Sequence, residues 1–255
     1  KSEDVVVKGI EKMYAAGVQY NLMTAVNHCS EGHALEIYQF LKTLGTSFIQ
    51  FLPVAEMIDT GICDGKVISS PAIAPPGSST SIMAPWGVSA EGWGDFLCEI
   101  FDWWSGHDAG RIFVNVFEDT LAGWCGVRPG SCVFDSVCGG NAVMEHNGDI
   151  YPCDHFVYPG MRTGNIFCDN LKDLMGGKSQ TEFGARKRIM LTGRCLKCRY
   201  LAICNGECPK HRFVSLPGEE FKHNVLCDGY LKFFRHSENV MLRMKEMIMN
   251  ANQQI

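Results

Sequence analysis

Residues 195–209 read CLKCRYLAICNGECP and place four cysteines at the spacing Cys-x2-Cys-x5-Cys-x3-Cys. Three more cysteines precede this run and one follows it. The eight are Cys132, Cys138, Cys153, Cys195, Cys198, Cys204, Cys208 and Cys227. Thiolates bind soft or borderline metals, and a Cys-x2-Cys turn lets two sulfurs face one centre. The spacing therefore predicts two metal sites of four cysteines each.

The residues alone leave the metal open between zinc and iron–sulfur. Many Cys-x2-Cys pairs hold a structural, tetrahedral zinc ion. The run Cys204-x3-Cys208-Pro209 instead matches the end of the bacterial ferredoxin pattern, whose last cysteine binds the other of two clusters. Both kinds of site use four sulfurs, so the spacing favours neither metal over the other.

The composition is typical of a soluble protein with room for a sizeable core. The 255 residues carry a net charge of −5, with 46% hydrophobic and 20% charged residues. No run of 18 apolar residues predicts a membrane span, and a mildly acidic chain gives no sign of a nucleic-acid-binding face. Thirteen cysteines are too few for a small disulfide scaffold. Because residues 1–17 also lack a basic-then-apolar leader, the sequence predicts a reducing, cytoplasmic location.

The first 122 residues favour parallel strands joined by helices. The predicted elements are helices over 4–17, 33–44 and 89–105 and strands over 18–26, 47–52 and 111–116. Ser89 is a good N-cap for the third helix. That helix places one apolar stripe toward the core: Trp93, Phe96, Leu97, Ile100 and Trp104. This alternation is typical of α/β folds with crossover helices.

Two later changes in composition divide the chain further. Residues 53–88 are rich in Pro, Gly and Ser and predict a long irregular stretch, which at this length is a lid, a binding loop or disordered. After about residue 123 the elements shorten and the cysteines gather. We therefore place a boundary between domains 1–122 and 123–255, and predict a last helix over 227–250.

The cysteine-rich half resembles the SPASM domain of radical S-adenosylmethionine (SAM) enzymes, in particular those that mature sulfatases anaerobically. Three blocks and Cys227 carry the resemblance: CGGNAVMEHNGDIYPCDH (138–155), MRTGNI (161–166) and CLKCRYLAICNGECP (195–209). Every cysteine position of the SPASM pattern is filled, and the additional Cys132 is typical of the sulfatase-maturing branch. Three upstream segments resemble the same family more loosely: GVQYNLMTAVN (17–27), SFIQFLPVAE (47–56) and GRIFVNVFEDTLAGW (110–124).

The resemblance implies two auxiliary [4Fe–4S] clusters. One would be held by Cys132, Cys138, Cys153 and Cys208, and the other by Cys195, Cys198, Cys204 and Cys227. Metal binding would then stabilise a glycine-rich segment with little core of its own. Because all eight positions are filled, neither cluster has an open iron for substrate, which favours electron transfer or a structural role.

Asp154, in the block YPCDH, is the predicted catalytic residue. The family's aspartate in this Cys-Asp pair stands near the substrate and accepts a proton as the product forms. A lone aspartate is usually a solvated surface residue, but the flanking match favours the catalytic role. By the same resemblance, Gln50 and Ala55 would contribute to SAM binding at the strand ends, where parallel barrels place their chemistry.

The other histidines and cysteines receive simpler interpretations. The histidines without support from the resemblance are predicted to be structural or exposed: His146, His155 and His211. The cysteines outside the pattern are predicted to be buried as small hydrophobic side chains: Cys29, Cys63, Cys98, Cys125 and Cys168.

The triplet Cys-x3-Cys-x2-Cys, with which radical SAM enzymes hold their SAM-cleaving cluster, is absent from residues 1–255. The chain also begins in mid-helix and has three predicted barrel strands, whereas a full (β/α) barrel needs about 250 residues. The expected fold is therefore α/β, namely the C-terminal part of a partial (β/α)6 radical SAM barrel followed by a small cysteine-rich SPASM domain with two iron–sulfur clusters and a C-terminal helix. We expect a fragment that cannot cleave SAM alone.

The resemblance implies that the intact enzyme oxidises a serine or cysteine of an unfolded sulfatase polypeptide to Cα-formylglycine. It would use SAM and a third [4Fe–4S] cluster, receive electrons from flavodoxin or ferredoxin, and act as a monomer without nucleic acid or membrane. The segments SFIQFLPVAE and HNGDIYPCDHF favour the serine-type branch without excluding cysteine substrates.

Two other interpretations remain open. One is a different SPASM enzyme that modifies peptides, such as a thioether-forming maturase, although Cys132 and YPCDH argue against it. The other, from a different class, is a non-catalytic zinc-binding module.

Overall fold

The computed structural model describes residues 2–59, 62–63, 66–67, 72–74 and 81–252. The helices of this part are α1 Ser2–Ala15, α2 Ala34–Thr43, α3 Ala90–His107, α4 Asn115–Cys125, α5 Leu171–Gly176, α6 Lys178–Ile189, α7 Gly193–Leu196, α8 Leu201–Cys204 and α9 Cys227–Asn252. The strands are β1 Leu22–Val26, β2 Phe48–Pro53, β3 Met57–Asp59, β4 Ile62–Cys63, β5 Lys66–Val67, β6 Ala72–Ile73, β7 Ser81–Met83, β8 Phe113–Val114, β9 Val143–Met144, β10 Asp149–Tyr151, β11 Gly164–Asn165, β12 Arg212–Val214 and β13 His223–Asn224.

The chain forms two compact units, each assembled from separate stretches. Unit 1 contains residues 1–55, 85–130 and 226–255, and unit 2 contains residues 56–84 and 131–225. The units are interleaved along the chain, whereas the predicted domains 1–122 and 123–255 are consecutive. A division into compact units does not test a division into domains along the sequence. The predicted boundary therefore stays a prediction.

Unit 1 is built on a three-stranded parallel sheet in the order β1-β2-β8. Leu22 pairs with Ile49 and Val26 with Pro53, so the carboxyl ends of β1 and β2 meet at one edge. The sequence predicts both strands correctly, because their alternating apolar residues need a buried face. Parallel neighbours require crossover helices, which α2 and α3 supply.

Helix α3 carries the core of unit 1. Ser89 caps it by accepting a hydrogen bond from the backbone N–H of Gly92 at 2.9 Å, as predicted. The predicted apolar stripe, Trp93, Phe96, Leu97, Ile100 and Trp104, is entirely buried. Around it, Phe101 packs edge-on against Phe117 and Phe233, with ring centroids 5.3 and 5.7 Å apart.

Two glycines bring α3 and α9 into close contact. A Cβ on Gly229 would collide with the carbonyl oxygen of Ala90, and a Cβ on Gly94 would lie 3.0 Å from the Cα of Gly229. Backbones approach this closely only where neither residue carries a side chain.

The third predicted strand is shorter than expected. The sequence predicts a strand over 111–116, but β8 spans Phe113–Val114 and α4 begins at Asn115. The alternation of Ile112, Val114 and Val116 hides the helix start, and α4 itself was not predicted. It ends at Gly126, which adopts a left-handed conformation with φ 72°.

The predicted irregular stretch 53–88 contains regular structure. β6, β3 and β7 form an antiparallel sheet in which Ile58 pairs with both Ile73 and Ile82. The prediction of an entirely irregular loop is therefore wrong for this part. Residues 60–61, 64–65, 68–71 and 75–80 of the same stretch lie outside the described residues.

Unit 2 otherwise consists of short elements. β11, β10 and β9 form an antiparallel sheet, and β12 pairs with β13. The tight turn from β9 to β10 passes through Gly148, whose φ of 82° only glycine adopts readily. None of the helices in the described ranges is long and apolar enough to cross a membrane.

Candidate iron–sulfur site

Four of the eight predicted ligands lie together in unit 2. Cys153 directly follows the buried pair Tyr151 and Pro152 at the end of β10, and Cys208 precedes a short helical turn that begins at Pro209. The charge of Cys132 acts on Cys138 and Cys153, and that of Cys153 acts on Cys208. All four cysteines of the first predicted ligand set lie in unit 2, and their joint binding of one cluster stays a prediction.

The protein holds these thiols in an environment that disfavours bare thiolates. Burial raises the pKa of Cys208 well above its ordinary value. Burial, with the neighbouring Asp154, raises the pKa of Cys153 to about 12, and burial also raises the pKa of Cys138. A buried thiolate is stable only beside positive charge. A bound metal would supply that charge, and thiol sulfur is a ligand type that iron–sulfur clusters use.

One face of helix α6 holds the loops that carry these thiols. Gln180 is buried and its Nε2 donates hydrogen bonds to the carbonyl oxygens of Gly139, at 2.5 Å, and Pro152, at 3.0 Å. A Cβ at Gly184 would collide with the carbonyl oxygen of Cys138. Positions 180, 184 and 187 recur at helical spacing. We call this set, Gln180, Gly184 and Lys187, the ligand-facing side of α6.

Lys187 is a fully buried cation on that side. Its Nζ donates to the carbonyl oxygens of Cys132, at 2.5 Å, and Val133, at 2.7 Å. Burial lowers the pKa of its ammonium group, while Glu207 and the thiols of Cys208, Cys138 and Cys132 act to raise it. Lys187 was not among the predicted site residues. Its position on the same helical face as Gln180 and Gly184 was a signal in the sequence that could have identified it.

The chain turns sharply between Cys204 and Cys208. Asn205, Gly206 and Glu207 all have positive φ, at 48°, 74° and 52°. Left-handed conformations cost free energy in residues other than glycine. The Asn205 Nδ2 donates to the carbonyl oxygen of Phe134 at 2.8 Å, which helps to hold the turn. The chain thus changes direction between two cysteines that the resemblance assigns to different clusters.

Glu207 anchors the same turn through a buried polar network. Its carboxylate accepts a hydrogen bond from the Nδ2 of Asn224 and lies 2.9 Å from the Nδ1 of His211. Although burial would raise the pKa of Glu207, His211 and Asn224 lower it overall. His211 is buried and paired, so the prediction that it is structural fits its surroundings.

His155 contacts a predicted ligand. Its Nδ1 lies 3.3 Å from the Sγ of Cys208, and the residue is half-buried. A histidine hydrogen bond to a ligating sulfur is a recognised means of adjusting a cluster. From the sequence, His155 received the same interpretation as His146, whose side chain is 92% exposed. The position of His155 directly after Cys153 and Asp154 was the signal that could have distinguished the two histidines.

Asp154, the predicted catalytic residue, is exposed at the start of a short turn, Asp154–Phe156. Its Oδ1 lies 3.2 Å from the Sγ of Cys153. A carboxylate placed beside a predicted cluster ligand and open to solvent can accept a proton from a bound molecule.

The second predicted set is divided between the units. Cys195, Cys198 and Cys204 lie in unit 2, where the N–H of Cys198 donates to the carbonyl oxygen of Cys195 at 3.0 Å. Buried His223 places its Nδ1 3.7 Å from the Sγ of Cys195. Cys227 is the first residue of α9, in unit 1. This ligand set therefore stays a prediction.

The predicted SAM-binding residues lie in unit 1. Ala55 is buried two residues beyond the carboxyl end of β2. Gln50 is the third residue of that strand, and its Oε1 accepts a weak hydrogen bond from Asn21 at 3.4 Å. Ala55 thus lies near the predicted edge, whereas Gln50 lies within the sheet, and their role stays a prediction.

Four of the five cysteines outside the pattern are less buried than predicted, and the side chain of the fifth, Cys63, lies outside the described part of the structure. Cys29 and Cys168 are exposed, and Cys98 and Cys125 are half-buried. The prediction of burial is therefore wrong for Cys29 and Cys168, because both lie in polar turns at the surface. Within the described ranges no three His, Cys, Asp or Glu side chains are arranged to hold a single metal ion. Each thiolate of a four-iron cluster binds a different iron, so its ligands need not converge on one point.

Comparison with known proteins identifies the cysteine-rich part. Residues 132–199 match the SPASM model, an iron–sulfur cluster-binding domain. The chain is 40% identical over 245 residues to a serine-type anaerobic sulfatase-maturating enzyme of Bacteroides thetaiotaomicron, covering 96% of this chain and 58% of that protein. A cysteine-type enzyme of Clostridium novyi is 25% identical, covering 85% of this chain and 53% of that protein.

Solved structures agree on the fold. Native anSMEcpe with bound AdoMet superposes with a TM-score of 0.78 at 20% identity, covering 96% of this chain and 62% of that chain. The same protein with AdoMet and a peptide, Kp18Cys, gives a TM-score of 0.76 at 21% identity, with coverages of 96% and 63%. The chain thus spans about three fifths of the length of these proteins.

The chain is therefore similar over most of its length to part of the anaerobic sulfatase-maturating enzymes, and residues 132–199 match an iron–sulfur cluster-binding domain. The resemblance drawn from the sequence is confirmed, and so is the predicted α/β fold with a SPASM domain.

Proposed function

We propose that this chain is part of a radical SAM oxidoreductase that converts a serine or cysteine of a sulfatase polypeptide to Cα-formylglycine. The observation that carries the proposal is exposed Asp154, whose Oδ1 lies 3.2 Å from the Sγ of Cys153, in a unit that contains seven of the eight pattern cysteines. Homology to both serine-type and cysteine-type maturases supports the reaction and leaves both substrates open.

We assign two auxiliary [4Fe–4S] clusters to the eight cysteines. Cys132, Cys138, Cys153 and Cys208 would hold the first, and Cys195, Cys198, Cys204 and Cys227 the second. When bound, such clusters accept and donate single electrons. The protein's own task is to fix the thiols and their surroundings, and Lys187, Gln180 and His155 do this through the contacts described above. SAM and a third cluster would complete the intact enzyme, with Gln50 and Ala55 contributing to the SAM site.

Asp154 would accept the proton that a substrate hydroxyl gives up as its carbon becomes a carbonyl. For a substrate thiol the carbon would become a thiocarbonyl, which water would then hydrolyse to the carbonyl with release of hydrogen sulfide. The side chain is exposed, which a bound peptide requires. A positioned base of this kind typically contributes about 10²–10⁴ to the rate.

The partners follow from the reaction. An unfolded sulfatase segment would be the substrate, and flavodoxin or ferredoxin would exchange electrons with the enzyme. We further propose that the enzyme acts as a cytoplasmic monomer, in keeping with the reducing conditions that iron–sulfur clusters and free thiols need.

An Asp154→Asn variant of the intact enzyme tests this proposal. It should keep its iron and sulfide, and its yield of formylglycine, measured by peptide mass spectrometry, should fall at least about 100-fold. Asp173→Asn, a matched change at an exposed aspartate of α5, should leave the yield unchanged.

Unchanged yield in Asp154→Asn would remove that residue from its role. Metal analysis of the same samples tests the cofactor: this chain should carry about eight irons with matching sulfide. Stoichiometric zinc without sulfide would instead support a zinc-binding module, and a different product mass would support another peptide-modifying activity.

A further inference from the structure

The segment that contains the Cys195-x2-Cys198 turn is rich in exposed basic residues. Residues 184–206 contain six Lys and Arg and no Asp or Glu, in a chain whose net charge is −5. Lys187 is buried, and the other five residues are exposed: Arg186, Arg188, Arg194, Lys197 and Arg199. The segment therefore creates a local positive potential that the overall charge conceals.

Apolar side chains are exposed between these charges. Ile189, Met190 and Leu196 are 66%, 39% and 59% exposed. Arginine and methionine are enriched in protein interfaces, and a group of exposed apolar residues with a charged rim is typical of a contact surface. We call the five cations and these three apolar residues the basic patch.

A cavity opens within the basic patch beside Cys198. It has a volume of about 630 Å³, and Cys198, Arg188, Arg199 and Leu201 line it. The Nη1 of Arg188 lies 3.4 Å from the Oδ1 of Asn205, which follows Cys204 directly. Two of the three unit 2 ligands predicted for the second cluster thus lie at or next to the patch.

We propose that the basic patch is the docking surface for an acidic electron-carrier protein, and that one electron passes between that carrier and the cluster bound through Cys195, Cys198 and Cys204. One partner is reduced as the other is oxidised, so no further reactant is needed. The inference rests on the proposed function, because the carrier can exchange an electron at this surface only if a cluster is bound at these cysteines.

Charge complementarity favours a protein carrier over other partners. Electron-carrier encounters are small and transient, and opposite charges accelerate their association. The exposed Ile189, Met190 and Leu196 fit a protein surface, whereas a nucleic acid would require stacking aromatic groups or a continuous phosphate-binding groove. Within 184–206 the one aromatic residue is Tyr200, which is buried.

The test measures binding of an acidic bacterial flavodoxin to the iron-reconstituted chain by calorimetry. In Arg188→Glu/Lys197→Glu, affinity at about 50 mM salt should fall at least about tenfold, and the difference should shrink at about 300 mM salt because salt screens exposed charges. The control Arg235→Glu reverses an exposed cation of α9 outside the patch and should bind as the unchanged chain does. Electron transfer from reduced flavodoxin, followed by stopped flow, should slow in parallel.

Equal flavodoxin binding by the double variant and the control would overturn the inference. The inference would also be overturned if the unchanged chain bound a short single-stranded RNA as tightly as it binds flavodoxin. Iron and sulfide content separates this result from the proposed function. Intact clusters with patch-independent binding would refute the docking surface alone. Zinc in place of iron, with binding still dependent on Arg188 and Lys197, would refute the proposed function and leave the docking surface standing.

Discussion

Unit 2 buries a larger share of polar and charged side chains than unit 1. The core of unit 1 is aromatic and aliphatic, with Trp93, Phe96 and Trp104 at most 1% exposed. Unit 2 buries Lys187, Glu207, His211 and Asn224 near its thiols. Apolar burial stabilises a fold by itself, whereas buried polar groups require exact partners to avoid a net cost. From this difference we expect unit 1 to fold on its apolar core and unit 2 to depend on the proposed iron–sulfur clusters.

Removal of iron should produce the largest difference between the units. Structural metal sites contribute about 10–16 kcal/mol of apparent free energy, so a chelator under reducing conditions should unfold much of unit 2. Hydrogen exchange should accelerate by several orders of magnitude over 131–225, while α3 in unit 1 keeps its protection and serves as internal reference. Equal loss of protection in both units would contradict the comparison.

Substitution Phe101→Ala addresses the other half of the comparison. Loss of a buried phenylalanine typically costs about 3–5 kcal/mol, and Phe101 contacts Trp104, Phe117 and Phe233. Urea unfolding followed by helical circular dichroism should show that loss in unit 1, with iron content unchanged. Phe40→Ala, at a side chain 49% exposed, should cost less than about 1 kcal/mol. Similar costs in the two variants would argue against an apolar core at Phe101.

Substitution Lys187→Met should destabilise unit 2 by about 1–3 kcal/mol, because it leaves the carbonyl oxygens of Cys132 and Val133 without their donor. Iron should be lost faster during timed chelation. Lys178→Met, on the same helix at an 86% exposed side chain, should cost less than about 0.5 kcal/mol. If both variants keep iron equally well, the ligand-facing side of α6 does not depend on that charge.

A smaller effect is expected at Asp108 in unit 1. Its carboxylate is buried, which would raise its pKa, but hydrogen bonds from Lys42 and Tyr38 outweigh burial and lower the pKa overall. A lowered pKa stabilises the fold above the unfolded-state pKa of about 3.9, and that stability is lost as the pH falls through the folded value.

Asp108→Asn should therefore cost about 1–2 kcal/mol at neutral pH and progressively less below about pH 4. Urea unfolding at a series of pH values measures this difference, and Glu11→Gln, at an exposed residue of α1, provides the control. A cost that does not change with pH would show that the charge of Asp108 is not the stabilising element.

Much of unit 1 was predictable from the sequence because its signals are local. Alternation predicts β1 and β2, and the stripe from Trp93 to Trp104 together with the Ser89 cap predicts α3 within two residues. The start of α4 was missed since Val114 and Val116 continue a strand-like pattern across Asn115. The sheet of β3, β6 and β7 was missed because its strands have two or three residues each, too few for a periodic signal.

The sequence supplies candidate ligands for the site but not the contacts that surround them. Cysteine spacing identifies candidate ligands because the number of residues between two cysteines limits the distance between their thiols. The contacts of Lys187, His155 and His223 depend on how distant segments fold together, and spacing contains no such information. The burial of Lys187 also contradicts the usual behaviour of lysine, so a prediction from residue type would have placed it at the surface.

The close contact of Gly94 with Gly229 has a consequence for how this protein can change over evolutionary time. Gly229 lies two residues after Cys227, at the start of α9, and its lack of a side chain fixes where that helix begins against Ala90. A mutation to alanine at either glycine would shift the first turn of α9, and the Cys227 thiol with it. Homologues that keep a cysteine at this position should therefore keep glycine at both positions.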